Sequence, residues 1–216
     1  MKKYKYLLFD LDGTLTDSCE GIYKSFEYAL NAYGIEVKDL NSLRPILGPP
    51  LKDSFMDMFG FDAKTADEAV AKYRERFSSI GIYENRVYDG VGDMLAALKK
   101  EGYFISLATS KPEKFARVIL KHFELEKYFN FITGATIDGR ISTKEDVINH
   151  IIESVGIDNT AEALMIGDRS FDLLGAEAFG IDAVGVLYGY GSREELEKYP
   201  SVLLAKTPDD VVKFLV

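Results

Sequence analysis

Short apolar runs alternate with longer stretches of helical periodicity along most of the chain. Residues 4–9 (YKYLLF), 103–108 (YFISLA), 131–133 (FIT), 163–166 (ALMI) and 183–187 (AVGVL) are near-continuous in apolar character. Such runs predict strands buried on both faces, as in a parallel sheet. Between them lie helical patterns. Residues 91–100 carry Met94, Leu95 and Leu98 on one face, and Pro112 stands where it would open a helix reaching about Phe123. Thr143 starts another that stops at Gly156, and Ser170 starts one ending near Gly180. Strands alternating with helices predict βαβ units and an α/β fold with a doubly wound, Rossmann-like parallel sheet.

One stretch breaks the alternation. Between Asp17 and Arg86 no strand pattern occurs, while Ile22, Phe26, Ala29, Leu30 and Tyr33 follow amphipathic helical spacing closed by Gly34. Further helical patterns cover 51–58 and 65–79. This is too much helix for one crossover. It predicts an α-helical cap over residues 17–86, inserted into a core made of residues 1–16 and 87–216.

Composition narrows the function class. The chain has 216 residues, 47% of them apolar, enough for a sizeable core without disulfides or a structural metal. Acidic residues number 35 against 26 basic, a net charge of −9, which argues against nucleic acid and anionic membrane as partners. The single cysteine, Cys19, excludes an intrachain disulfide and zinc clusters of paired cysteines. The apolar run Leu7-Leu8-Phe9 meets Asp10 too soon for a signal-peptide core, and no run is long enough to span a bilayer. A cytoplasmic protein is expected. Monomer and homodimer both stay open.

Ligands of open parallel sheets sit outside the carboxyl ends of the strands. The first strand delivers Asp10-Leu11-Asp12-Gly13-Thr14 there, and the i, i+2 spacing lets Asp10 and Asp12 converge. Close carboxylates repel unless a cation or shared proton lies between them. The fourth delivers Gly167-Asp168-Arg169-Ser170-Phe171-Asp172, two more carboxylates at a helix start. Oxygen-only donors of this kind suit a hard cation, Mg²⁺ above all. The second strand ends in Thr109-Ser110-Lys111, an anion cradle, and Ser142-Thr143-Lys144 opens a later helix. Metal, nucleophile, anion cradle and counter-charge together are what phosphoryl transfer requires.

The motif FDLDGTLTDS (residues 9–18) resembles the first motif, hhhDxDGT, of the haloacid dehalogenase superfamily. Thr109 in LATSKP matches the second motif, Lys144 the third, and GDRSFD (residues 167–172) the fourth. The cap directly after the first motif, and LYGYGSREEL (residues 187–196), make the chain similar to the phosphoglycolate-phosphatase-like subgroup. The resemblance implies Asp10 as nucleophile forming an aspartyl-phosphate, and Asp12 as general acid and then base. It implies Thr109 and Lys144 on the phosphoryl group, with Lys144 also paired to Asp10. Asp10, Asp168 and the backbone carbonyl of Asp12 are implied as Mg²⁺ ligands, with Asp172 holding a metal-bound water or the lysine. A small phosphorylated metabolite is the implied partner, and phosphoglycolate the implied substrate type.

Other readings of single residues are weaker. An EF-hand counted from Asp10 lacks its glycine and glutamate, having Leu15 and Gly21 there. Gly189-Tyr190-Gly191 begins a dinucleotide fingerprint, but Glu194 stands where the third glycine belongs. His122 and His150 fall within helical patterns, and Cys19 has no histidine partner in the pattern. Lys111 competes with Lys144 for the lysine role and otherwise reads as a surface residue ahead of Pro112. Ser110 joins the anion cradle, and Arg44 of the cap is a candidate for a substrate carboxylate or second phosphate. Lys52 stands equally between that role and a plain surface one. Dehalogenation is disfavoured by the presence of Asp12. A sugar-phosphate mutase, a 5′-nucleotidase and a non-catalytic phosphate-binding regulator are the alternatives to a phosphatase.

Overall fold

The computed structural model describes residues 3–216. In chain order the elements are β1 (Tyr6–Phe9), β2 (Thr16–Asp17), α1 (Cys19–Asn31), α2 (Leu51–Phe59), α3 (Ala63–Phe77), β3 (Arg86–Val87), α4 (Val91–Lys100), β4 (Phe104–Pro112), α5 (Glu113–His122) and β5 (Phe131–Ala135). There follow α6 (Lys144–Val155), β6 (Ala163–Gly167), α7 (Ser170–Glu177), β7 (Asp182–Val186), α8 (Arg193–Leu196), β8 (Leu203–Ala205) and α9 (Pro208–Leu215). The chain forms two compact units, one from the segment up to Asp17 with residues 87–216, the other from residues 18–86.

The larger unit holds a six-stranded sheet in the order β5-β4-β1-β6-β7-β8, parallel throughout, while β2 and β3 form a separate two-stranded sheet. β1 sits in the middle, with Tyr6 opposite Phe104 on one side and Ala163 on the other. From β1 the chain winds outward to β4 and β5, then returns to β6 and winds the other way. The switch point therefore lies at β1, where a doubly wound sheet opens its binding crevice. Burial explains why these segments become strands. Leu7, Leu8 and Phe9 are fully buried, each side chain contributing roughly 1.5–3 kcal/mol. On one face α6 and α7 pack through Val147, Ile148, Ile151, Leu173 and Ala176 against Leu8, Ala108 and Met165.

Helix ends follow local chemistry. Thr143 caps α6 in a capping box with Asp146, and Gly156 ends it at φ 75°. Pro112 closes β4 and stands just before α5, one position earlier than the sequence pattern suggested. β5 runs on to Ala135, and β8 and α9 add a strand and helix the pattern did not announce.

The smaller unit is helical. α1, α2 and α3 pack through aromatic rings, Phe26 stacking on Phe55 at 4.4 Å between centroids and meeting Tyr73 edge-on at 5.4 Å. Gly21 of α1 lies so close to Gly81 that a β-carbon would overlap the Gly81 carbonyl. Arg76 and Lys24 both hold Glu84, at 2.7 and 3.0 Å.

Candidate active site

β1 ends at Phe9, and Asp10 is still tied to the sheet through its N–H, which donates to the Ile166 carbonyl at 2.9 Å. The backbone then turns sharply. The N–H groups of Leu15 and Thr16 both donate to the Leu11 carbonyl, and Gly13 takes φ 88°. A side chain at Gly13 would be strained and would overlap the carboxylate of Asp168.

Around this turn three buried carboxylates meet. Oxygens of Asp10, Asp168 and Asp172 lie within 4.8 Å of one another. Lys144, the first residue of α6, reaches among them: its Nζ is 2.8 Å from Asp10 Oδ1 and 2.7 Å from Asp172 Oδ1, and it donates to the Ala108 carbonyl at 2.7 Å. A cation at a helix N-terminus opposes the helix dipole, so this lysine depends on those carboxylates. Burial works to lower its proton affinity, yet Asp10 and Asp172 outweigh burial and hold it above its ordinary value.

Asp172 also serves the fold, since its Oδ2 accepts the Arg169 N–H at 3.0 Å and closes the first turn of α7. Asp168 accepts the Tyr190 N–H at 2.7 Å and the Thr14 hydroxyl at 3.3 Å. Gly189 and Gly191 lie against Asp168, where β-carbons would overlap its side chain and its carbonyl. The Gly-Tyr-Gly segment is thus a close-fitting backbone cradle for Asp168, a role its sequence alone did not disclose.

Three carboxylates against one ammonium leave an excess of negative charge in a buried place. Its effect is visible in proton affinity. Burial pushes the Asp10 carboxyl up to about 6, with Asp172 and Asp12 adding to the rise and Lys144 opposing it. Burial, Asp172 and Asp10 push Asp168 well above the carboxylate range. Hard oxygen donors in such excess fit a divalent cation, which would relieve the repulsion that protons otherwise relieve.

Asp12 does not join this cluster. The i, i+2 convergence expected of Asp10 and Asp12 requires a strand that continues, and here it has already turned. Asp12 Oδ2 instead pairs with Lys111 Nζ at 2.8 Å. Lys111 is accordingly no surface lysine: its side chain is only 7% exposed. Thr109 is buried at the end of β4, and its Oγ1 accepts the Lys111 N–H at 3.1 Å. Ser110 follows, half-buried, at the irregularity where β4 loses register with β5. Arg44 belongs to the helical unit, exposed on a 3₁₀ turn at Leu40–Ile46, and Lys52 there pairs with Asp67 at 2.8 Å. Cys19 is half-buried, His122 exposed and His150 half-buried. Among the described residues no helix is long and apolar enough to cross a membrane.

Known proteins are similar to this chain in sequence and fold. A 5′-nucleotidase of Pseudomonas aeruginosa is 48% identical over 197 residues, covering 91% of this chain and 89% of that protein. The crystal structure of a predicted phosphatase from Clostridium acetobutylicum superposes with a TM-score of 0.94 at 48% identity, covering 98% of this chain and 97% of that one. The tyrosine-protein kinase PtkA of Mycobacterium tuberculosis is 40% identical over 207 residues, covering 95% of this chain and 70% of that protein. The family model for haloacid dehalogenase-like hydrolases matches residues 7–186, from β1 to the end of β7 and through all four carboxylates and both lysines. The chain belongs to the haloacid dehalogenase-like hydrolase family.

Proposed function

We propose that the protein is a Mg²⁺-dependent phosphatase of small phosphomonoesters that carries the phosphoryl group on Asp10. The observation that supports this most is the meeting of Asp10, its lysine and two further buried carboxylates beyond the end of β1. Asp10, Asp168 and Asp172, with the backbone carbonyl of Asp12, would hold the metal. When bound, it supplies positive charge against the anionic ester.

The remaining work falls to the side chains. The Asp10 carboxylate attacks phosphorus as the ester P–O bond breaks, and Asp12 gives its proton to the departing oxygen. Asp12, now ionised, takes a proton from the water that attacks the aspartyl-phosphate. The bond from phosphorus to Asp10 breaks, inorganic phosphate leaves, and both carboxyls return to their starting states. Lys144, fixed by three oxygens, holds Asp10 in place and balances charge on the phosphoryl oxygens. The Thr109 oxygen is engaged as an acceptor by the Lys111 N–H, which leaves its proton for a phosphoryl oxygen.

Phosphate release from phosphoglycolate, nucleoside 5′-monophosphates and sugar phosphates tests this, with Mg²⁺ and with EDTA. The nucleotides belong in the panel because the Pseudomonas relative is named for them. Metal-dependent release that Asp10→Asn abolishes is the expected result. No release from any ester by folded, metal-binding protein would overturn it.

A further inference from the structure

The two aspartates of the first motif each have their own lysine, and only one of these pairs belongs to the machinery described above. Lys144 holds Asp10, while Lys111 holds Asp12 at 2.8 Å. The second pair is built into the backbone. β4 pairs regularly with β5 as far as Thr109 opposite Gly134, then shifts register before Pro112 meets Ala135. Such an irregularity re-aims side chains at the end of a strand. Within it the Lys111 N–H is fixed on Thr109 Oγ1 at 3.1 Å. Its carbonyl presses on Gly134, where any β-carbon would overlap it. The backbone on both sides of Lys111 is thus set by a hydroxyl and a glycine, and the side chain is almost wholly buried on its way to Asp12. An exposed lysine would be free to sample many rotamers, and its ion pair would hold nothing in place.

Resting on the phosphatase reading, we infer that Lys111 is a positioning residue for Asp12. Its ammonium holds the carboxyl group in the place from which it hands a proton to the departing oxygen, as Lys144 holds Asp10 for attack. Asp12 stands beyond the end of β1 at Phe9, its backbone tied by a single bridge to Thr16, and Lys111 constrains its carboxyl group from the neighbouring strand. Lys111 therefore acts through Asp12 and not on phosphorus.

The test is steady-state kinetics on a series of aryl and alkyl phosphates of decreasing leaving-group acidity, with wild type, Lys111→Met, Lys111→Arg, Asp12→Asn and the Lys111→Met/Asp12→Asn double variant. Wild-type turnover that Asp10→Asn abolishes establishes the phosphatase reading separately; its absence would remove both claims. Given turnover, Lys111→Met should lower kcat on alkyl phosphates by roughly 10²-fold, the low end of what a positioned general acid contributes, and much less on the most acidic aryl leaving groups. Lys111→Arg, which keeps the charge and folds with the least change, should recover part of that loss. The double variant should be no slower than Asp12→Asn alone. A Lys111→Met loss that is equal for every leaving group, or confined to KM, would overturn the inference. So would full additivity in the double variant, or an Arg variant as impaired as Met.

Discussion

Lowering the pH should weaken metal binding by a calculable amount. Asp10 is buried with a carboxyl proton affinity near 6, and a metal that uses this oxygen must displace the proton. One group with a pKa of about 6 reduces apparent affinity by the factor 1 + 10^(pKa − pH), close to one at about pH 7.5 and about 11 at about pH 5. That is about 1.4 kcal/mol from Asp10 alone, and Asp168, also raised, adds to it. The same shift governs the metal-free fold. Folded Asp10 binds its proton more tightly than the unfolded chain does, so its contribution to stability falls as pH rises from about 4 to about 6. Mg²⁺ should therefore raise the melting temperature clearly at about pH 7.5 and much less at about pH 5 at the same concentration. Calorimetric titration at the two pH values measures the affinity ratio. A ratio near one would refute the placement of Asp10 among the metal ligands.

Two further outcomes follow from the same cluster. Lys144→Met strands Asp10 and Asp172 in a buried site and should cost about 3–5 kcal/mol in urea unfolding of metal-free protein, with saturating metal restoring part of it. Gly189→Ala places a methyl against Asp168 and the Gly13 carbonyl, so it should weaken metal affinity while changing the far-ultraviolet circular dichroism little; unaltered affinity would mean the cradle yields freely.

Much of the architecture was readable because parallel strands are buried on both faces. Leu7 to Phe9 and Ala163 to Ile166 are apolar for that reason and need no alternation to be recognised. The helix boundaries at Thr143 and Gly156 were readable from capping chemistry. β8 was not, because three residues at a sheet edge, two of them half-buried, carry little pattern. α9 has no long apolar strand before it to set it off, and its mark is local: Thr207-Pro208 with Asp210, a capping box with proline in the first turn. In the site, the family motifs pointed to Asp10, Lys144, Asp168 and Asp172, which the fold brings together. Asp12 lies outside the buried trio of carboxylates because the chain leaves β1 at Phe9 and turns, a bend that the apolar run does not record. Lys111 was less legible. It stands just ahead of Pro112, which marks it for the surface, and its burial falls at the shift of β4 against β5, which local spacing does not show. The Gly-Tyr-Gly cradle depends on contact with Asp168, twenty-odd residues away, which no local pattern records.

The proposed reaction passes through a covalent phosphoryl group on Asp10. Acid-quenching Asp12→Asn protein during turnover of a good aryl phosphate, followed by borohydride reduction and peptide mass spectrometry, reads it directly, because reduction converts an aspartyl-phosphate to homoserine. Homoserine at residue 10, dependent on substrate and metal, is the result expected. Measurable turnover with residue 10 unmodified, or with another residue converted in its place, would contradict the account.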